Sequence, residues 1–97
     1  MRSIMEDAPY QECYYCGKPY GRMEVHHIYY GRGWRELSEK YGLKVTLCSN
    51  CHWTLHNSTD TDARKSMDDF LKRQGQKAFE SKYNNKNFKE IFGRNYL

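Results

Sequence analysis

Eight side chains able to bind a metal or move a proton fall into two patterns, Cys13-x-x-Cys16 with Cys48-x-x-Cys51, and His26-His27 with His52-x-x-x-His56. They are all four cysteines and all four histidines of the chain, so none is scattered elsewhere. Paired Cys-x-x-Cys is a strong zinc signal, and four thiolates around one tetrahedral ion at about 2.3 Å form a closed structural site. The competing reading, two disulfides, requires an oxidising compartment. The first nine residues argue against secretion, because they carry Arg2, Glu6 and Asp7 and lead into no apolar run. The expectation is therefore a cytoplasmic chain with reduced thiols bound to structural Zn²⁺.

The histidines suggest a second site. On a helix, His52 and His56 lie one turn apart on one face. A third imidazole from His26 or His27 would complete a three-ligand site that stays open to water and substrate. Neighbouring strand residues point to opposite faces, so these two cannot both reach one ion. The one left unligated beside the metal could serve as a general base. A simpler alternative uses His52 or His56 to complete a mixed Cys/His zinc site, but that leaves several thiols and imidazoles without a role.

The elements that must position these groups can be read from the intervening sequence. Only 15 of the 97 residues are Leu, Ile, Val or Phe, against 15 aromatics, and 29% are charged. With a mean hydropathy of −1.04, burial alone cannot hold the chain, and metal is the expected staple. Cys13 to Gly17 reads as a thiolate knuckle, with Gly17 relieving the turn. The pattern predicts strands over residues 23–28 and 43–47, with Val45 and Leu47 facing one way, and a helix over 34–41 ended by Gly42. A helix over 48–57 carries His52 and His56. Asp60-Thr61-Asp62 then caps a helix over about 63–83, whose stripe of Met67, Phe70 and Leu71 is interrupted by Gly75. A last short helix over 88–92 closes at Gly93. No run is long and apolar enough for a membrane span.

The formal charge of +4 is spread, with seven Lys/Arg against six Asp/Glu in residues 1–56 and nine against six in 57–97. Any nucleic-acid footprint must then come from local patches rather than a basic tail. Gly31-Arg32-Gly33-Trp34-Arg35 offers one, because Arg between glycines lets backbone approach a phosphate while the guanidinium binds it; a solvated turn is the plainer reading. Tyr29, Tyr30 and Trp34 could stack on bases, though in a chain this poor in Leu and Val they serve equally as core. Glu24 shares strand parity with His26 and could hydrogen-bond a ligand imidazole, or stand as an ordinary exposed Glu.

The string Cys13-x-x-Cys16, Glu24-Val25-His26-His27-Ile28, Cys48-x-x-Cys51-His52-x-x-x-His56 resembles the HNH endonuclease family. Within that family it looks like the small, zinc-stapled phage- or prophage-type members, and the arrangement of its histidines is similar to that in the colicin DNases. The resemblance covers residues 13–57 and implies a ββα-metal motif there, with a four-cysteine structural zinc; together with the loose lead-in over 1–12 and the helical extension over 58–97 read from the pattern, the expected fold class is α+β. The resemblance makes His26, His52 and His56 the metal ligands and His27 the general base. The family's Asn, which orders that base from the loop between the strands, has no counterpart in residues 41–46. The implied activity is one-metal hydrolysis of DNA phosphodiesters, leaving nicks with 5′-phosphates. In it, His27 takes a proton from water, and the ion polarises a phosphate oxygen and stabilises the leaving 3′-oxygen. Mg²⁺ or Mn²⁺ is the expected ion, and three imidazoles also suit Zn²⁺ or Ni²⁺. Arg32 and Arg35 would contact DNA phosphates. A homodimer would allow cutting of both strands, and a phage or host protein partner would supply targeting. Two rivals remain: a zinc-binding nucleic-acid adaptor that does not cleave, and a protein-interaction module using the aromatic tail.

Overall fold

Capping residues and glycines set the element ends in this computed structural model, which describes all 97 residues. The order is β1 (Met23–His27), α1 (Trp34–Tyr41), β2 (Lys44–Cys48), α2 (Ser49–Asn57), α3 (Thr61–Lys82) and α4 (Phe88–Phe92). Gly42 ends α1 in the left-handed region at φ 72°, where an L side chain would be strained. A Cβ there would also lie 2.5 Å from the Arg2 carbonyl oxygen. Asp60 caps α3 by accepting the Ala63 N–H at 3.0 Å, and Asn87 caps α4 through the Glu90 N–H, also at 3.0 Å. α3 runs unbroken through Gly75.

β1 and β2 form an antiparallel pair with Glu24 opposite Leu47, His26 opposite Val45, and His27 opposite Lys44. Alternation puts Glu24, His26, Val45 and Leu47 on one face and Val25, His27, Lys44 and Thr46 on the other. α2 packs on the first face, and α3 packs against α2 and the segment leaving β1. A two-stranded sheet is marginal when one side is open to water, and here the second side is covered too. Residues 1–12, expected as a loose lead-in, contain no helix or strand but are tied down by hydrogen bonds. The Ile4 N–H donates to Gly42 at 2.9 Å, the Tyr10 N–H to the Thr46 hydroxyl at 2.9 Å, and that hydroxyl to Glu6 at 2.7 Å. With both faces covered, Val45, Thr46 and Leu47 are all fully buried.

The remaining core is aromatic. Phe79 of α3 packs against Tyr41 at 5.3 Å, Tyr83 at 5.0 Å, Phe88 at 5.4 Å and Phe92 at 5.9 Å between ring centroids. Such pairs add about 0.5–1.5 kcal/mol each beyond area burial, which partly makes up for the scarcity of aliphatics. Met67, Leu71, Gly75 and Phe79, spaced by four, form the buried seam of α3. Phe70, expected in that stripe, lies off it and is half exposed, edge-on to Tyr15 at 5.7 Å. The seam passes so close to β1's exit that a Cβ on Gly75 would lie 2.9 Å from the Tyr29 hydroxyl. That hydroxyl donates to the Lys72 carbonyl at 2.6 Å, fastening the extension to the hairpin.

Candidate metal centres

Cys13, Cys16, Cys48 and Cys51 converge with their sulfurs all within 4.8 Å of one another. The Cys16 and Cys48 sulfurs are 3.8 Å apart, the edge of about 3.8 Å that follows for a tetrahedron of roughly 2.3 Å bonds, and well beyond a disulfide of about 2.05 Å. Both knuckles turn a backbone N–H onto their first sulfur: Cys16 onto Cys13 at 3.5 Å, and Cys51 onto Cys48 at 3.4 Å. Burial pushes the Cys13 thiol up, but the amides of Cys16, Cys48 and Tyr15 and the Cys16 side chain outweigh it and bring it down to about 7. Burial and the three other thiols drive Cys51 far upward. Thiols so crowded cannot all ionise against one another unless a cation sits among them, and this group could bind zinc.

His26, His52 and His56 form a second group, with ligand nitrogens within 4.8 Å of one another. β1 supplies the first and one turn of α2 the other two, so the sheet register and the start of α2 together set the geometry. Cys48 is both the N-cap of α2 and a member of the thiol group, which links the two clusters through a single helix. His26 is buried to 2% exposure, and its Nε2 is fully enclosed without a hydrogen-bond partner. An enclosed, unpartnered nitrogen costs about 1–3 kcal/mol, so its position beside two more imidazoles fits a metal ion that satisfies all three. Burial, reinforced by His52, His56, His27 and Lys72, lowers the His26 pKa to about 3, keeping the ring neutral as a ligand must be. Burial, aided by His52, also lowers His56, against the opposing pull of Asp68.

Glu24 accepts the His52 Nδ1–H at 2.7 Å, and Arg22 sits on its other oxygen at 3.2 Å. Hydrogen bonding from His52 holds the Glu24 carboxyl below its usual range, so it is an anion that fixes the His52 tautomer and leaves Nε2 bare. Glu24, which shares strand parity with His26, thus bonds the His52 ring.

His27 does not join the three histidines. It lies on the opposite sheet face, where its Nε2–H donates to Glu39 Oε1 at 2.9 Å. Lys44 and the Met1 amino group share the Glu39 carboxylate at 2.9 Å and 2.7 Å. The Met1 amino group, then His27 and Lys44, hold that carboxyl far below its ordinary value. Arg32 and Arg35 are exposed on the turn after β1 and at the start of α1. The sequence reading missed Glu39 and also the flank of the histidine group. On that flank, Tyr30 lies 5.6 Å from the His26 ring and 5.0 Å from the His56 ring, and its hydroxyl donates to Asp68 at 3.2 Å. No sequence period links Tyr30 to Asp68, which come together only when α3 folds back across α2.

No protein-family model, curated protein or solved structure matches this chain. No helix is long and apolar enough to cross a membrane.

Proposed function

We propose that this chain is a metal-dependent endonuclease of the HNH type that hydrolyses DNA phosphodiester bonds in phage or prophage DNA processing, recombination or defence. The buried, partnerless Nε2 of His26, with His52 and His56 beside it, carries the reading. The element order strand, crossover, strand, helix around that group is what a ββα-metal motif requires.

His26, His52 and His56 would hold a divalent ion, which would supply Lewis acidity toward a phosphate oxygen. The protein's own groups do the rest. Glu24 orients His52 through its Nδ1–H. Glu39 does the same for His27, accepting its Nε2–H and leaving Nδ1 as the lone pair that takes a proton from the attacking water. Glu39 thereby does the ordering that the family assigns to an Asn of the inter-strand loop, a residue type that 41–46 lack.

One observation favours a second reading, a zinc-binding nucleic-acid adaptor that does not cleave: His27 and the three histidines lie on opposite faces of the sheet. Plasmid nicking in Mg²⁺ and in Mn²⁺ separates the two, using wild type, His27→Ala and Glu39→Gln, each confirmed to hold its structural zinc. The nuclease reading expects wild type to nick, Glu39→Gln to nick more slowly and His27→Ala hardly at all. Wild type that binds DNA without cutting any form of it makes the adaptor the correct account. Equal nicking by all three removes His27 as the base.

A further inference from the structure

Beside the three histidines, the surface of α3 and the C-terminal tail forms a groove. Two depressions, one bounded by Arg64 and the other by Trp34, share a wall made of Tyr30, Lys72, Arg94 and Tyr96 and run together. The two acidic groups on its floor are already paired within α3, Asp68 with Lys72 at 2.8 Å and Asp69 with Lys65 at 3.1 Å. Arg64 and Arg94 have no acidic partner, so the groove's uncompensated charge is two guanidinium groups.

Arg94 is held in place although it lies near the chain end. Gly93 turns the tail at φ 76°, and the nearly enclosed Gln76 clamps the next residues, donating to the Asn95 side chain at 2.7 Å and accepting the Tyr96 N–H at 2.7 Å. The Arg94 guanidinium then rests 5.0 Å over the Tyr96 ring, and Lys72 lies 4.9 Å from the Tyr30 ring. Cations fixed on aromatic faces lose little side-chain entropy on binding an anion. Tyr30 stands between the groove and the histidines, in contact with His26 and His56.

We infer that this groove is the track for the sugar-phosphate backbone of the DNA, gripped toward one end by Arg64 and midway, on the shared wall, by Arg94, with Tyr30 marking where the strand passes the metal centre. The inference rests on the proposed action on DNA and moves the main phosphate contacts from the Arg32–Arg35 turn to the helical extension. Bidentate guanidinium contacts suit phosphodiester oxygens, and each neutralised phosphate releases counterions.

The test is fluorescence anisotropy of a short labelled DNA duplex across a salt series, with zinc-loaded full-length protein and no added divalent ion. The proteins are wild type, Arg64→Ala/Arg94→Ala, Arg32→Ala/Arg35→Ala, and Arg73→Ala as an exposed control on α3. The Arg64/Arg94 variant is expected to bind about tenfold or more weakly, with the salt slope reduced by about 2, while Arg73→Ala stays at the wild-type value. Wild-type affinity and slope in the Arg64/Arg94 variant, or a loss confined to the Arg32/Arg35 variant, overturns the track. Parallel nicking assays separate the two claims: binding that depends on Arg64 and Arg94 without cleavage sinks the nuclease reading and keeps the track. Undiminished nicking with unchanged binding does the reverse.

Discussion

Two imidazoles in this protein each donate one N–H to a carboxylate, His52 to Glu24 and His27 to Glu39, and in each case the bond determines which nitrogen is left free. For His52 the free nitrogen is the one left for the group with His26 and His56, so Glu24 would act through its neighbour on a metal held there. Replacing Glu24 by Gln removes the charge while keeping the shape. The expected result is about tenfold weaker Ni²⁺ binding at the histidine group with the thiol-bound zinc unchanged, as read by titrating zinc-loaded protein; an ordinary surface Glu would leave the affinity as it was. Residue type and spacing marked the four thiols and the helical pair His52 and His56 in the sequence, but the choice of His26 over His27 as the third member came only from the family resemblance. Strand alternation also foretold that His26 and His27 would part. What it could not assign was a partner for His27, because Glu39 reaches it from α1, twelve positions away.

At the scale of elements, α2 shows why both clusters depend on one short segment. Nine residues make a marginal helix in isolation. This one is held by Cys48, whose side chain accepts the Cys51 N–H, and by the buried Leu55. His52 follows Cys51 directly, so the thiol group fixes the orientation of the histidine group. α3 meets β1's exit at Gly75, where Ile28 and Tyr29 leave no room for a side chain. Gly75→Ala should therefore lower stability by about 1–3 kcal/mol in urea unfolding, against the gain of up to about 1 kcal/mol that the same change brings at an open helix position. A stability unchanged or raised would mean that Tyr29 can move aside without loss. The sequence suggested only an interruption of the apolar stripe here, because a glycine that admits a neighbouring ring looks the same as one that breaks a helix until the ring is placed.

At the scale of the whole molecule, a two-stranded sheet is closed in by α2, itself backed by α3, on one face and by residues 1–12 on the other. An aromatic cluster around Phe79 carries the extension. The covering of the second face was not legible, since its bonds join residues about forty positions apart through backbone groups and a Thr hydroxyl, none of which leaves a periodic signal. The groove lined by Arg64 and Arg94 is likewise a product of closure, formed when Gln76 clamps the tail. The central claim is that this small frame holds two separate metal sites, one of four thiolates and one of three imidazoles. Native mass spectrometry of zinc-loaded protein after adding Ni²⁺, for wild type and His52→Ala, counts them directly. The account predicts two ions per chain in the wild type and one in the variant; a single ion per chain in both would contradict it.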